Sequence, residues 1–362
     1  MTNISSRALG ITTTALLAAA SLAACGSGST GGSAAGGGNG SKAIKIAFLM
    51  PDIASTRYEL FDRPLFEAKI KALCAGCEVV YANANASAAT QQQQANSALA
   101  QGVKAIVIDS VDSTAAASIV NAAKAQKVPV IAYDRPIPKA KADYYVSFDN
   151  EKIGALIAQS LVDKVKATNP TGGILQINGS PTDAAAGLIK KGVHSVVDTS
   201  GLTLLAEFDT PDWAPPKAQD WASGQITKFG SQINGVVAAN DGTGGGAIAA
   251  FKAAGVNPVP PVSGNDAELA AAQRIVNGDQ YNTISKPIKI VAEAAAEVAY
   301  GFAQGKPPAA KTTLFDTPSQ LFTPEVVTKD NLNEVLIKSG ILEVSDVCSG
   351  TYAAACAKAG IK

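Results

Sequence analysis

Histidine is almost missing from this chain: His194 is the one imidazole among 362 residues. A zinc site with two or more histidine ligands is therefore not expected. His194 sits mid-helix by pattern and isolated, which suits a surface or helix-packing role better than a catalytic one. No metal and no cofactor are expected. An excess of one charge is also missing, since 30 Lys and Arg balance 30 Asp and Glu. Nucleic-acid binders usually show a basic stripe; here the basic residues are scattered, so no nucleic-acid partner is expected. The stretch Gly242-Thr243-Gly244-Gly245-Gly246 lacks the Lys-Ser/Thr of a phosphate-binding loop and reads as a tight strand-to-helix turn. Long apolar runs are absent too: Ile11 to Ala20 is too short for a membrane-spanning helix of about 20 residues. What is present is a large apolar share, 47% against 17% charged, enough for a substantial core in two lobes of ordinary size.

Residues 1–25 read as an address. Arg7 supplies a thin positive region, the short apolar run follows, and Leu22-Ala23-Ala24-Cys25 resembles a bacterial lipobox. A diacylglycerol on Cys25 is then expected, and two acyl chains at about 0.8 kcal/mol per buried CH₂ anchor firmly. Residues 26–42 form a Gly/Ser/Ala tract without periodicity, which predicts a flexible tether. The other cysteines fall into two local pairs, Cys74 with Cys77 and Cys348 with Cys356. Outside the cytoplasm such pairs read as disulfides. Cys74-Ala75-Gly76-Cys77 has redox-motif spacing, but it follows a helical pattern and precedes a strand, which favours a turn staple.

From Lys42 onward strands and helices alternate at roughly 25-residue spacing, the pattern of parallel α/β sheets. Strands are predicted at Ile44–Leu49, Val79–Tyr81, Ala105–Ile108 and Val130–Tyr133, completing one open-sheet lobe. After Tyr145–Phe148 a second series follows at Gly173–Ile177, Leu202–Phe208, Gly235–Ala239, Val259–Ser263 and Tyr281–Ser285. In such sheets ligands sit beyond the carboxyl ends of strands. Those ends carry Asp134 and Arg135, Ser180 to Asp183, Asn240 and Asp241, Asn265 and Asp266, and Lys286. The loop after the first strand leads to Arg57 and Tyr58. Asp or Asn before a helix is also a good N-cap, so Asp183, Asp241 and Asp266 each have that second reading. Taken together, carboxylate, amide, guanidinium and ammonium groups suit a polyhydroxyl ligand, because each hydroxyl both donates and accepts.

Several segments, in order, carry a resemblance: Val130 to Arg135, Tyr144 to Gly154, Gly179 to Asp183, Val236 to Gly246, Ser263 to Ala267 with Arg274-Ile275, and Ser285 to Ile288. Across residues 43 to 340 the chain resembles the periplasmic sugar-binding proteins of ABC importers, in particular their xylose-binding branch. The resemblance implies two doubly wound, mainly parallel-sheet lobes joined by a three-segment hinge, near residues 146–150, 284–288 and 312–322. It implies an N-terminal lobe of 43–147 plus 286–312, a C-terminal lobe of 148–285 plus 313–345, and a disulfide-pinned tail over 346–362. It further implies a monosaccharide ligand, an ABC permease as partner, a monomer and no enzymatic activity. By position, Asp134 and Arg135 follow the Tyr-Asp-Arg pattern, with Arg135 able to pair two hydroxyls. Asp183, Asn240, Asp266 and Lys286 fall on the family's polar contacts, Trp213 on an aromatic that stacks on the sugar, and Arg57-Tyr58 on an Arg-Trp pair.

Two departures stand out. Ala184-Ala185-Ala186 occupies a place where xylose binders carry asparagines, which predicts a roomier or less polar corner. The spacing from Arg57 to Asp62-Arg63 is one residue longer than the pattern. Two other readings stay open on sequence grounds: a sensor that presents its sugar to a membrane receptor, and a glycosidase using paired cleft carboxylates.

Overall fold

The computed structural model describes residues 43–361; Cys25 with its lipobox and the tract 26–42 lie outside the described residues. The chain begins with β1, Lys45–Met50, in which Ile46 to Met50 are fully buried. A strand apolar on both faces belongs in the middle of a parallel sheet covered on both sides. Ile46, Phe48 and Met50 point into one layer with Phe66 and Ile70 of α1, Arg63–Leu73. Ala47 and Leu49 point into the other, against α2, Ala88–Ala100, and α3, Ala117–Ala125. The sheet also contains β2, Glu78–Asn83; β3, Ala105–Ile108; β4, Val130–Tyr133; and β5, Tyr144–Phe148. Neighbouring pairs among these five strands all run parallel.

The chain then crosses through α4, Asn150–Lys166, to a second sheet of β6, Gly173–Asn178, β7, Thr203–Asp209, and β8, Ile233–Ala238, in the order β7-β6-β8. Helix α5, Ala184–Val197, packs on α4 at very short range. A Cβ on Gly154 would stand 1.9 Å from the carbonyl oxygen of Ile189, and one on Gly192 would stand 2.0 Å from that of Glu151. Only glycine permits that approach. On the other face lie α6, Pro215–Phe229, and α7, Asp241–Ala253, enclosing Ala218, Ala222, Ala247 and Phe251.

Three expectations change here. The predicted strand 259–263 is reduced to a single parallel bridge between Val236 and Val262; Pro260 and Pro261 lack the N–H a longer ladder requires. After α8, Leu269–Asn277, strand β9, Asn282–Ser285, pairs antiparallel with β12, Glu325–Thr328, which the sequence reading omitted. Between them α9, Ile288–Ala303, returns to the first lobe. There β10, Thr312–Leu314, and β11, Thr317–Phe322, form a hairpin, and β11 runs parallel to β5. The hairpin turn holds Phe315 at φ 48° and Asp316 at φ 59°, the left-handed pair of a two-residue turn matched to strand twist. The stretch 313–322 is thus part of the first, seven-stranded sheet rather than the second lobe, and the third crossing lies between Phe322 and Glu325.

Cys74, at the end of α1, is bonded to Cys77, just before β2. Cys348 is bonded to Cys356, which is buried with Ile275 and Val276 of α8.

Candidate functional site

The carboxyl ends of the two sheets face a common cleft, the place where ligands of open α/β sheets sit. All nine residues singled out from the sequence line it: Arg57, Tyr58, Asp134, Arg135, Asp183, Trp213, Asn240, Asp266 and Lys286. Asp52, Ser55, Asn150, Ala185, Ile189, Asn265 and Glu268 line it as well. Of these, Asn265 was already named beside Asp266 at a strand end, and Asp52 lies two residues beyond β1, within reach of the same rule. Nothing in the local sequence marks Ser55, Asn150 or Glu268.

The first lobe presents charge in a fixed frame. Arg57 enters a π-helical turn, Tyr58–Asp62, whose hydrogen bonds span five residues rather than four. Asp62, fully buried, takes two bonds from Arg57, 2.8 Å to Nη2 and 3.1 Å to Nε, and one from the Tyr133 hydroxyl. Arg57 Nη1 then reaches Asp134 at 3.2 Å. Asp134 holds φ 58°, a strain of about 1–3 kcal/mol outside glycine, and its carbonyl accepts bonds from Tyr145 and Ser147. Burial alone would push its carboxyl up, but Arg57, Lys286 and Arg135 outweigh burial and hold it at about 2.

Arg135 is more committed than a free sugar-binding fork. Its Nη1 donates to the carbonyl of Ser110 at 3.0 Å, and Nη2 to Asp52 at 3.2 Å and the Tyr58 hydroxyl at 3.3 Å. Its Nε lies 3.2 Å from both Asp109 and Asp183. One guanidinium therefore compensates three carboxylates, and the pair with Asp183 spans the cleft. Asp109, which the sequence reading did not single out, is fully buried behind the cleft wall, and desolvation drives its carboxyl well up despite Arg135.

The second lobe presents its groups from helix starts and turns. Asp183 caps α5, accepting from the Ala185 N–H at 2.7 Å, while its other oxygen accepts from Trp213 Nε1 at 3.0 Å. Burial still outweighs Arg135 and these bonds and raises its carboxyl. Asn240 caps α7 through Oδ1, which takes the Thr243 N–H at 2.9 Å. For both residues capping and cleft lining coincide. Asp241 has the structural role alone: it is fully buried and accepts from Gln280, Thr283 and the Glu268 N–H. Trp213 stands on a strained turn, with φ 55°, and its ring lies over Gly179, where a Cβ would come within 2.1 Å of the indole. The Oδ1 of Asn265 is buried and finds no partner among the described residues. Asp266, at φ 103°, meets Lys286 at 2.8 Å and Arg57 at 3.9 Å. The Lys286 ammonium, which burial would lower, is raised by Asp134 and Asp266. Ala185 and Ile189 of α5 line the cleft as apolar residues.

His194 is not among the cleft-lining residues; its Nδ1 lies 3.0 Å from Asp198 and its Nε2 3.4 Å from Glu207. Among the described residues no group of His, Cys, Asp and Glu is arranged to hold a metal.

Comparison with known proteins follows the geometry. A family model described as a periplasmic binding protein domain matches residues 46–307. The D-xylose-binding periplasmic protein of Escherichia coli is 36% identical over 315 residues, covering 85% of this chain and 93% of that protein. Its namesake from Haemophilus influenzae is 35% identical over 308 residues, covering 83% and 91%. An ABC transporter solute-binding protein from Clostridium phytofermentans, solved with β-D-glucose, superimposes with a TM-score of 0.77 at 26% identity, covering 84% of this chain and 99% of that one. With two α/β lobes that place their strand ends on one cleft, the chain belongs to the periplasmic binding protein family: extracytoplasmic solute-binding proteins of type I fold, which are not enzymes.

Proposed function

We propose that this protein captures a monosaccharide, xylose or a related aldose, between its lobes outside the cytoplasm and delivers it to an ABC permease. The observation that carries this reading is convergence: polar strand-end residues from two separate sheets and two aromatic rings line the same cleft. Asp134, Asp266 and Lys286 would meet ring hydroxyls with charge-assisted bonds. The oxygen of Asn240 is spent on its own helix, so its amide donors are what a sugar would meet, and Asn265 Oδ1 is a waiting acceptor. Trp213 would stack on the C–H face of the ring, with Tyr58 forming the wall of the opposite lobe.

Closure about the three crossings would exclude water, so each unmatched partner would then cost about 1–3 kcal/mol. A sugar lacking one hydroxyl is rejected by that asymmetry. The N-terminal region extends the reading: a lipid on Cys25 and the tract 26–42 would tether a monomeric binding body to the membrane. The bonds Cys74–Cys77 and Cys348–Cys356 suit an oxidising compartment. Calorimetry against a panel of pentoses and hexoses should find saturable binding near micromolar Kd, about −8 kcal/mol, with a change in tryptophan fluorescence. Absence of heat with every aldose would sink the proposal.

A further inference from the structure

The lobes touch each other in places that a ligand in the cleft would not reach. The segment after β3 belongs to the first sheet, and the segment leading into α5 belongs to the second. They meet at Ser113, a residue 2% exposed and absent from the cleft lining. The Ser113 N–H donates to the carbonyl of Thr182 at 2.9 Å. The Ala184 N–H donates back to Ser113 Oγ at 3.0 Å. Neighbouring Ser110 Oγ lies 3.4 Å from the same hydroxyl. Two reciprocal bonds thus join the lobes, and the second supplies an acceptor to a backbone N–H in the first turn of α5, which has no partner within its own helix.

The geometry points to Ser113 as a clasp: a positioning residue that holds the closed arrangement and sets affinity for every ligand by a common factor, without selecting among them. This rests on the sugar reading of the cleft. Its physical basis is linkage. Apparent affinity scales with the population of the binding-competent arrangement, and a contact made between lobes, away from the ligand, enters that population and nothing else. Selection belongs instead to groups that meet hydroxyls, such as Asp266 and Lys286. Residues on the cleft wall should change the ratio of affinities between two sugars, whereas the clasp should leave the ratio alone.

The test compares Ser113→Ala and Ser113→Thr with the unaltered chain, by calorimetry on two sugars it binds with different affinity. Ser113→Ala should raise both Kd values by the same factor, roughly five-fold for one lost hydrogen bond. Ser113→Thr, which keeps the hydroxyl, should recover most of that loss. Small-angle scattering at a fixed, subsaturating sugar concentration should show Ser113→Ala more open than the unaltered protein. Equal Kd values in the alanine variant, or a loss confined to one sugar, would overturn the clasp. No binding by the unaltered chain would instead overturn the sugar reading, and the clasp with it.

Discussion

Both lobes contribute residues to the cleft but hold them differently. In the first lobe the charged groups are locked together: Asp62 binds Arg57, Arg57 binds Asp134, and Arg135 lies between Asp52 and Asp109. In the second lobe the groups hang on helix caps and strained turns, and among the cleft-lining side chains Asn265 Oδ1 finds no partner among the described residues. A seven-stranded sheet covered on both faces can support a buried ionic network; a three-stranded sheet with short extensions carries single, separable contacts. The first lobe therefore sets the electrostatics of the site, and the second supplies groups still free to bond.

Breaking the locked side should have the largest effect. Arg57→Met removes the partner of a carboxylate that is fully buried. Leaving such a charge unpaired costs about 3–5 kcal/mol, so urea unfolding should show a clear loss of stability along with loss of sugar binding. A variant that binds no sugar yet unfolds like the parent would erase the proposed difference between lobes. Trp213→Ala should weaken binding by at least about tenfold through lost stacking, with much less effect on the unfolding midpoint. Gly179→Ala should do the same more mildly, because the new methyl displaces the indole without removing it; unchanged Kd in both would mean the ring does not meet the ligand.

The smallest effect is the pH response. Asp134 is held at about 2, below its ordinary value of 3.8, by cations that outweigh its burial. A depressed carboxylate contributes stability that is present above the ordinary value and lost as pH falls through the folded one. The stability gap between the parent and Asp134→Asn should hence stay flat from pH 8 to about 4 and shrink toward pH 2. Asp183 moves the other way, its carboxyl raised by burial, so its contribution is present in acid and declines as pH rises through the folded value. A gap that instead grows as pH falls from 8 would place Asp134 in the same class as Asp183.

Much of this was legible before any coordinates. Alternating apolar runs located most of the strands because burial on both faces leaves a continuous apolar signature, as in β1 and β3. The rule that ligands sit beyond strand ends selected cleft residues without further information, and the cysteine pairs were close enough in sequence to be matched locally. What escaped was non-local. The proline-interrupted run 259–263 has the composition of a strand but not its hydrogen-bond donors. The edge pairing of β11 with β5 and of β12 with β9 depends on neighbours far away along the chain, so 313–322 was assigned to the wrong lobe. Nothing in the local sequence sets Asp109 apart, and only its position behind Arg135 explains it.

By itself the sequence determined the βα rhythm, the split of apolar and polar faces, and the chemical character of the strand ends, since all of these are set by residues close to one another in the chain. Only the tertiary structure decided which cation faces which carboxylate, which polar groups are consumed by the scaffold, and which remain for a ligand. Those outcomes depend on distances between segments brought together by three crossings. In a buried site a few tenths of an ångström and the number of compensating charges decide whether a group is a support or a contact.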